Sequence, residues 1–156
     1  MKILVLGLGQ SLRGDDAAGL DAVRFWQEKY TETAGRVRVE LCELPGLVLL
    51  DMLEGMDAAI LVDAVQTPAP AGTVIHLDPD ELAGFAPDAR SAHGWGVAET
   101  LQLGSSLVPL LTKCRITLIG ITGRQFGMGA GLSPQVRAAL QEAADLVNRE
   151  IQNYLR

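Results

Sequence analysis

The feature that most constrains this chain lies in its first thirty residues, where a short apolar strand runs through a glycine-rich loop into two consecutive acids and a helix. The predicted strand is Ile3–Leu8, and the glycine-rich loop at residues 7–14 leads to Asp15 and Asp16. Carboxylates are favourable at a helix N-terminus, where backbone N–H groups lack partners and the helix dipole is positive. One acid is enough to cap a helix, so the second acid requires its own explanation. The helix is predicted from apolar residues at helical spacing, which are Leu20, Val23, Trp26 and Tyr30.

Dinucleotide-binding folds begin with the same order of strand, glycine-rich loop and helix, but this loop departs from their pattern. The G-x-G-x-x-G fingerprint requires a third glycine where this chain has Leu12, and Gly14 comes two residues too late. A Walker-type phosphate loop would end in Gly-Lys-Ser or Gly-Lys-Thr, whereas this one ends in Gly14-Asp15-Asp16. Two carboxylates would repel a pyrophosphate and attract a cation. The acidic pair is therefore either a solvated, capped helix start or part of a cation site.

The rest of the chain alternates between predicted strands and helices. Residues 37–41 alternate apolar and charged side chains as an edge strand does, and the apolar run 58–62, which ends on Asp63, is typical of a central strand. Residues 73–77 should run antiparallel, because the loop before them is too short for a helical crossover. A last buried strand is expected at 115–121. Helices are predicted at 47–55, from 91 to at least 107 and at 133–154, whereas 31–35 should fray.

This order predicts a single α/β domain, residues 1–156, with a mostly parallel sheet, one antiparallel strand and helices on both faces. The net charge of −6 argues against a nucleic-acid surface, since no block of basic residues occurs. No apolar run reaches the roughly 18 residues of a membrane span, and no secretory cleavage pattern is present, so we expect a cytoplasmic protein that uses no membrane. Cys42 and Cys114 lack a CxxC spacing and are expected to be buried, reduced thiols.

Three titratable residues are candidates for the carboxyl edge of the sheet, where open α/β sheets bind ligands. They are Asp16 after the first strand, Asp63 at the end of the central strand, and His93 at a loop-to-helix junction. Two carboxylates and an imidazole could hold a divalent metal such as nickel, zinc or manganese and leave positions open for substrate. The alternatives are an Asp63–His93 acid/base pair, a turn-capping Asp63 and a partly exposed His93. No G-x-S-x-G elbow supplies a serine nucleophile.

Three further residues have weaker signals. His76 alternates with apolar neighbours in a predicted strand and should face solvent. Trp95 would belong either to the core or to a recognition groove. Arg13, inside the glycine loop, is either solvated or placed to meet a substrate carboxylate or backbone.

Taken together, three stretches resemble the nickel-iron hydrogenase maturation endopeptidases of bacteria and archaea. They are Gly7-x-Gly9-x-x-x-x-Gly14-Asp15-Asp16-x-x-Gly19, then Leu61-Val62-Asp63-Ala64, then Ser91-Ala92-His93 followed by a helix. The resemblance implies a three-layer α/β/α sandwich and removal of a short C-terminal extension from a hydrogenase large-subunit precursor. It also implies that Asp16, Asp63 and His93 bind metal, and that this metal is nickel already loaded in the substrate.

With no serine or cysteine nucleophile evident, we hypothesise direct attack by an activated water, with Asp15 capping the helix and orienting the loop. The chain departs from the family at Gln10, where Asn is common, and at residues 122–125, where many members have a proline-containing segment. The longer amide of Gln10 could alter a backbone contact in the turn or a contact to substrate, so these departures bear on substrate choice more than on the chemistry. We expect a monomer. The main rival is a chaperone that binds nickel or the precursor without cutting it.

Overall fold

The computed structural model describes residues 1–43, 48–78, 81, 90–91 and 113–156. The strands are β1 (Ile3–Leu8), β2 (Arg38–Cys42), β3 (Ala58–Gln66), β4 (Val74–Leu77), β5 (Arg90–Ser91) and β6 (Arg115–Thr122). The helices are α1 (Ala18–Lys29), α2 (Thr31–Ala34), α3 (Val48–Leu53) and α4 (Pro134–Leu155). A 3-10 turn, Gly14–Ala17, leads into α1.

The described strands form one sheet in the order β2-β1-β3-β6-β4, with β5 paired to β3. β1 is parallel to β2 and β3, and β3 is parallel to β6, so their carboxyl ends meet at one edge, called here the carboxyl edge. The predicted edge position of β2 is confirmed, and β4 runs antiparallel to β6 as expected. The two-residue β5 is also antiparallel, to β3, and the sequence pattern does not predict it.

Each face of the sheet carries its own apolar core, because alternate residues of a strand point to opposite faces. One core lies beneath α1 and α4 and includes Val5, Ile60, Val62 and Ile119. The other packs against α3 and includes Leu4, Leu6, Leu61 and Leu118. Most residues of the predicted apolar stripes of α1 and α4 are buried in the first core, and the stripe-end residues Tyr30 and Tyr154 pack against it partly buried. The described elements therefore form the expected three layers, helix on sheet on helix.

Three expectations about local structure are corrected. Residues 31–35 do not fray: residues 31–34 form α2, and the N–H of its C-cap, Gly35, donates to the Thr31 carbonyl (3.0 Å). The buried Thr33 accepts a hydrogen bond from the Gln152 side chain of α4, which holds this segment in place. Asp63 lies inside β3 rather than at its end, since residues 64–66 continue to pair with β5 and β6. His76 is partly buried, with its Nε2 atom 2.8 Å from a carboxylate oxygen of Glu150 on α4.

The predicted helix that begins near residue 91 lies almost wholly outside the described residues, and so do His93 and Trp95. Its first predicted residue, Ser91, belongs to β5. Among the described helices, none combines the length and the apolar character needed to cross a bilayer.

Candidate active site

The first turn of α1 lies directly against the carboxyl ends of β1 and β3. A Cβ atom at Gly19 would be 2.3 Å from the Val62 carbonyl oxygen and 2.4 Å from that of Leu8. Both distances are far below van der Waals contact, so only glycine allows the helix to come this close. The same Cβ would be 2.9 Å from the Cα atom of Asp63. This approach brings the 3-10 turn that carries Asp16 against the segment of β3 that carries Asp63.

Asp16 and Asp63 are both buried, with 2% and 0% of their surface exposed. Within β3, Asp63 points to the same face as Ala59 and Leu61, which belong to the core against α3. Burying carboxylates is costly unless they are compensated by hydrogen bonds, opposite charge or a metal. Two of the three predicted site residues are therefore brought to the same edge of the sheet. There a charged carboxylate needs a hydrogen-bond donor, an opposite charge or a metal ion.

The third predicted residue, His93, lies outside the described residues. The chain reaches the carboxyl edge two residues earlier, since Ser91 of β5 pairs with Val65, just beyond Asp63. Within the described ranges no group of three histidine, cysteine, aspartate or glutamate side chains is arranged to hold a metal ion. The predicted set of three ligands accordingly stays a prediction.

Asp15 has a role that the sequence pattern assigned only in part. Its Oδ1 atom accepts a hydrogen bond from the Ser133 N–H (2.7 Å). Its Oδ2 atom accepts three more, at 3.0 Å each, from the N–H groups of Arg124 and Gln125 and from the Ser133 hydroxyl. Neither the 3-10 turn nor α1 has a side-chain cap, so the prediction that Asp15 caps its own helix is wrong. The carboxylate instead holds the loop at residues 123–133, between β6 and α4.

The hydrogen bonds to Asp15 also decide its protonation state. Burial raises the pKa of Asp15, but the N–H groups of Arg124, Ser133 and Gln125 and the Ser133 hydroxyl lower it by more. The net pKa lies below the ordinary value of 3.8, so Asp15 is an anion at neutral pH. Ser133 is the residue before α4, as predicted, yet its hydroxyl binds Asp15 and does not cap the helix.

Further contacts join the loops of the carboxyl edge to one another. The Asp15 N–H donates to the Gln125 carbonyl (2.6 Å), and the Gly129 N–H donates to the Leu12 carbonyl (2.8 Å). The Arg124 guanidinium donates to the Ala69 carbonyl in the loop after β3. The sequence signals for this network were the unexplained second acid of the pair and the serine before the first proline of α4. Neither signal identified the two as partners, because 118 positions separate them.

The two cysteines lie at opposite edges of the sheet, with Cys42 at the end of β2 on the carboxyl edge and Cys114 before β6. Both are free and buried, as predicted. Burial, with a smaller contribution from the charge of Asp57, raises the pKa of the Cys114 thiol to about 11. A protonated thiol is a poor nucleophile, and Cys114 precedes β6 at the opposite edge of the sheet.

Comparisons with known proteins agree with this geometry. Residues 44–150 match a family model described as hydrogenase maturation protease. The chain is 28% identical over 148 residues to the hydrogenase 2 maturation protease of Escherichia coli, covering 94% of this chain and 88% of that protein. It is also 28% identical over 149 residues to the hydrogenase expression/formation protein HupD of Thiocapsa roseopersicina, covering 93% of this chain but only 65% of that longer relative.

A solved structure shares the fold over nearly the full length. The NiFe hydrogenase maturation protease HybD from Thermococcus kodakarensis superposes with a TM-score of 0.76 at 28% identity, covering 97% of this chain and 99% of that one. The predicted α/β architecture is therefore confirmed by the arrangement of strands and by this likeness.

Proposed function

We propose that this chain, which belongs to the hydrogenase maturation protease family, is a cytoplasmic, monomeric endopeptidase that removes a C-terminal extension from a nickel-loaded hydrogenase large-subunit precursor. The observation that carries the proposal is the placement of two buried carboxylates, Asp16 and Asp63, at the carboxyl edge of a sheet shared with proteases of this family. Substrate, cut bond and metal dependence are all part of the proposal.

In this proposal Asp16, Asp63 and His93 hold the nickel of the bound precursor. Carboxylate oxygens and an imidazole nitrogen suit a borderline divalent ion and leave coordination positions open. The pairing of Ser91 with Val65 supports the third ligand, since it leads the chain to this edge two residues before His93. The nickel then belongs to the substrate, and its presence reports that metal insertion is complete.

A divalent ion at such a site can polarise the scissile carbonyl and lower the pKa of an attacking water. The chain's own contribution is to orient the two carboxylates and to exclude bulk water around them. Asp15 holds the turn before α1 against the loop at 123–133, which keeps Asp16 beside β3. Since Cys114 is protonated and distant, and Cys42 is buried in the core against α3, a water oxygen adds to the carbonyl carbon. The peptide C–N bond then breaks, and a proton passes to the leaving amine without an acyl-enzyme.

The decisive measurement is the intact mass of the nickel-loaded precursor after incubation with the protein. We expect the wild type to release a short C-terminal peptide, and the His93→Ala and Asp63→Asn variants to release none within the detection limit. Asp57→Asn is the matched control, because Asp57 is an exposed carboxylate at the opposite edge of the sheet, and it should process normally. Precursor without nickel should remain uncut by the wild type.

Other outcomes would replace the proposal. A stable complex with no change of precursor mass would identify a non-cleaving chaperone. A covalent adduct between protein and precursor would exclude direct attack by water. Equal processing of nickel-loaded and nickel-free precursor would exclude nickel as the checkpoint. Unfolding of Asp63→Asn, measured by circular dichroism, would mean that Asp63 serves the fold rather than the reaction.

A further inference from the structure

Two large apolar side chains protrude beside the candidate site. Leu12 is 67% exposed and Met128 is 71% exposed, although side chains of this kind gain free energy when they are removed from water. They come from different loops, but the Gly129 N–H donates to the Leu12 carbonyl at 2.8 Å, so the loops meet between them. We call these two residues, with the backbone contact that joins their loops, the Leu12–Met128 rim.

The rim is held in place by contacts between the two loops that carry it. Gly14 has a φ of +58°, and a Cβ there would be 2.1 Å from the Gln125 carbonyl oxygen, so the two loops are in direct backbone contact. The Asp15 carboxylate binds the same segment through Arg124, Gln125 and Ser133. A surface fixed in this way loses little conformational freedom on binding, which favours affinity.

Two exposed arginines lie in the loops of the rim, although the chain carries a net charge of −6. Arg13 follows Leu12, and Arg124 lies in the loop of Met128. One exposed carboxylate, Glu43, accepts hydrogen bonds from the N–H and hydroxyl groups of Ser11, on the other side of Leu12. The Arg124 guanidinium donates to the Gly123 and Ala69 carbonyls, which keeps its positive charge at this edge. Apolar side chains beside positive charge suit a peptide that presents an apolar residue near a carboxylate. The C-terminal end of any protein carries such a carboxylate.

We infer that the Leu12–Met128 rim docks the C-terminal segment of the precursor and thereby leads the scissile bond to Asp16 and Asp63. This inference rests on the proposed function, and it adds the surface that recognises the substrate. The rim is continuous with the site: Leu12 lies in the loop that leads into Asp16, and Met128 lies in the loop that Asp15 holds.

The test compares wild type with the Leu12→Ser/Met128→Ser double variant and with a Phe25→Ser control. Phe25 is another exposed apolar side chain, but it lies on α1 away from the rim loops. Steady-state cleavage of nickel-loaded precursor gives KM and kcat, and biolayer interferometry in an Asp63→Asn background gives Kd without turnover. We expect KM and Kd to rise about tenfold or more in the double variant, with kcat and the melting temperature unchanged. The control should match the wild type.

A second arm identifies the occupant. Mature large subunit, which lacks the extension, should bind the wild type and the double variant equally. If the double variant loses the same affinity for the mature subunit, the rim binds another part of the partner and the inference is wrong. It is also wrong if KM and Kd do not change, or if sedimentation shows that the substitutions dissociate a wild-type dimer, which would make the rim a contact between two copies.

The failure of the proposed function would be distinct. If the wild type binds the precursor without cutting it, and the double variant binds more weakly, the protease proposal fails and the docking surface stands. If the wild type neither binds nor cuts, both are overturned.

Discussion

At each end of the parallel strands a carboxylate links chain segments, but one carboxylate is exposed to solvent and the other is buried. At the edge where the strands begin, exposed Asp57 accepts a hydrogen bond from the Lys2 N–H (2.6 Å), and its own carbonyl accepts one from the Arg115 N–H (3.0 Å). At the carboxyl edge, buried Asp15 accepts four hydrogen bonds from one distant loop. Asp16 and Asp63 are buried beside it.

The comparison shows where this fold concentrates its buried charge. Water can replace the hydrogen-bond partners of the exposed Asp57 carboxylate. The edge where the strands begin therefore does not depend on the exact placement of those partners. Water replaces the hydrogen bonds of Asp15 less easily, since its donors are buried or partly buried with it. Burying three carboxylates at one edge is costly unless each is compensated, and four hydrogen bonds compensate Asp15. The predictions below test that contrast, starting with the largest expected effect.

Asp15→Asn should lower the free energy of unfolding by about 3 kcal/mol, whereas Asp57→Asn should lower it by less than about 1 kcal/mol. Both carboxylate oxygens of Asp15 face N–H donors, so one side of an asparagine amide must point its NH₂ group at a donor. Urea denaturation monitored by circular dichroism measures both values. Equal losses in the two variants would show that burial does not distinguish the edges.

Gly19→Ala should destabilise the protein by about 2 kcal/mol and abolish precursor cleavage, because its Cβ would collide with the carbonyl oxygens of Leu8 and Val62. The matched control is Gly35→Ala. Gly35 has a φ of −68°, and its nearest neighbours would lie 3.5 Å or more from a Cβ, so the change should stay within about 0.5 kcal/mol. Thermal melts and intact-mass assays of both variants provide the measurement. A Gly19→Ala variant that cuts normally would show that the close approach of α1 does not position the site.

Cys114→Ala should have the smallest effect, leaving cleavage unchanged, because this thiol lies at the edge without the buried acids. Its pKa of about 11, raised by burial, means that about one thiol in a thousand is ionised at pH 8. Iodoacetamide should therefore label native Cys114 at least about 100-fold more slowly than the urea-unfolded chain. An unfolded thiol ionises near pH 9.0, so this group's contribution to stability is complete below that value and is lost as the pH rises from 9.0 towards 11. Rapid native labelling of Cys114, mapped by peptide mass, would contradict this.

Much of the fold was predictable because local patterns carry it. The apolar run of β3, the alternating edge strand β2 and the apolar stripe of α4 each bury a face that is visible in the sequence. The antiparallel β4 followed from the length of the loop before it. Element ends were less predictable: β3 runs three residues past Asp63 because β5 and β6 supply partners there. The apolar pattern of β3 alone does not predict that β5 and β6 pair with it.

For the site, the sequence by itself determined which groups could do chemistry: an acidic pair after a glycine loop, and an aspartate on a buried central strand. Only the tertiary structure decided that Gly19 closes α1 onto β3 beside Asp63. It also decided that Asp15 binds a loop more than a hundred positions away rather than its own helix. The physical reason is that hydrogen-bond donors and close backbone contacts are satisfied by whichever segment the packed layers bring near. That choice depends on the whole fold and not on neighbouring residues.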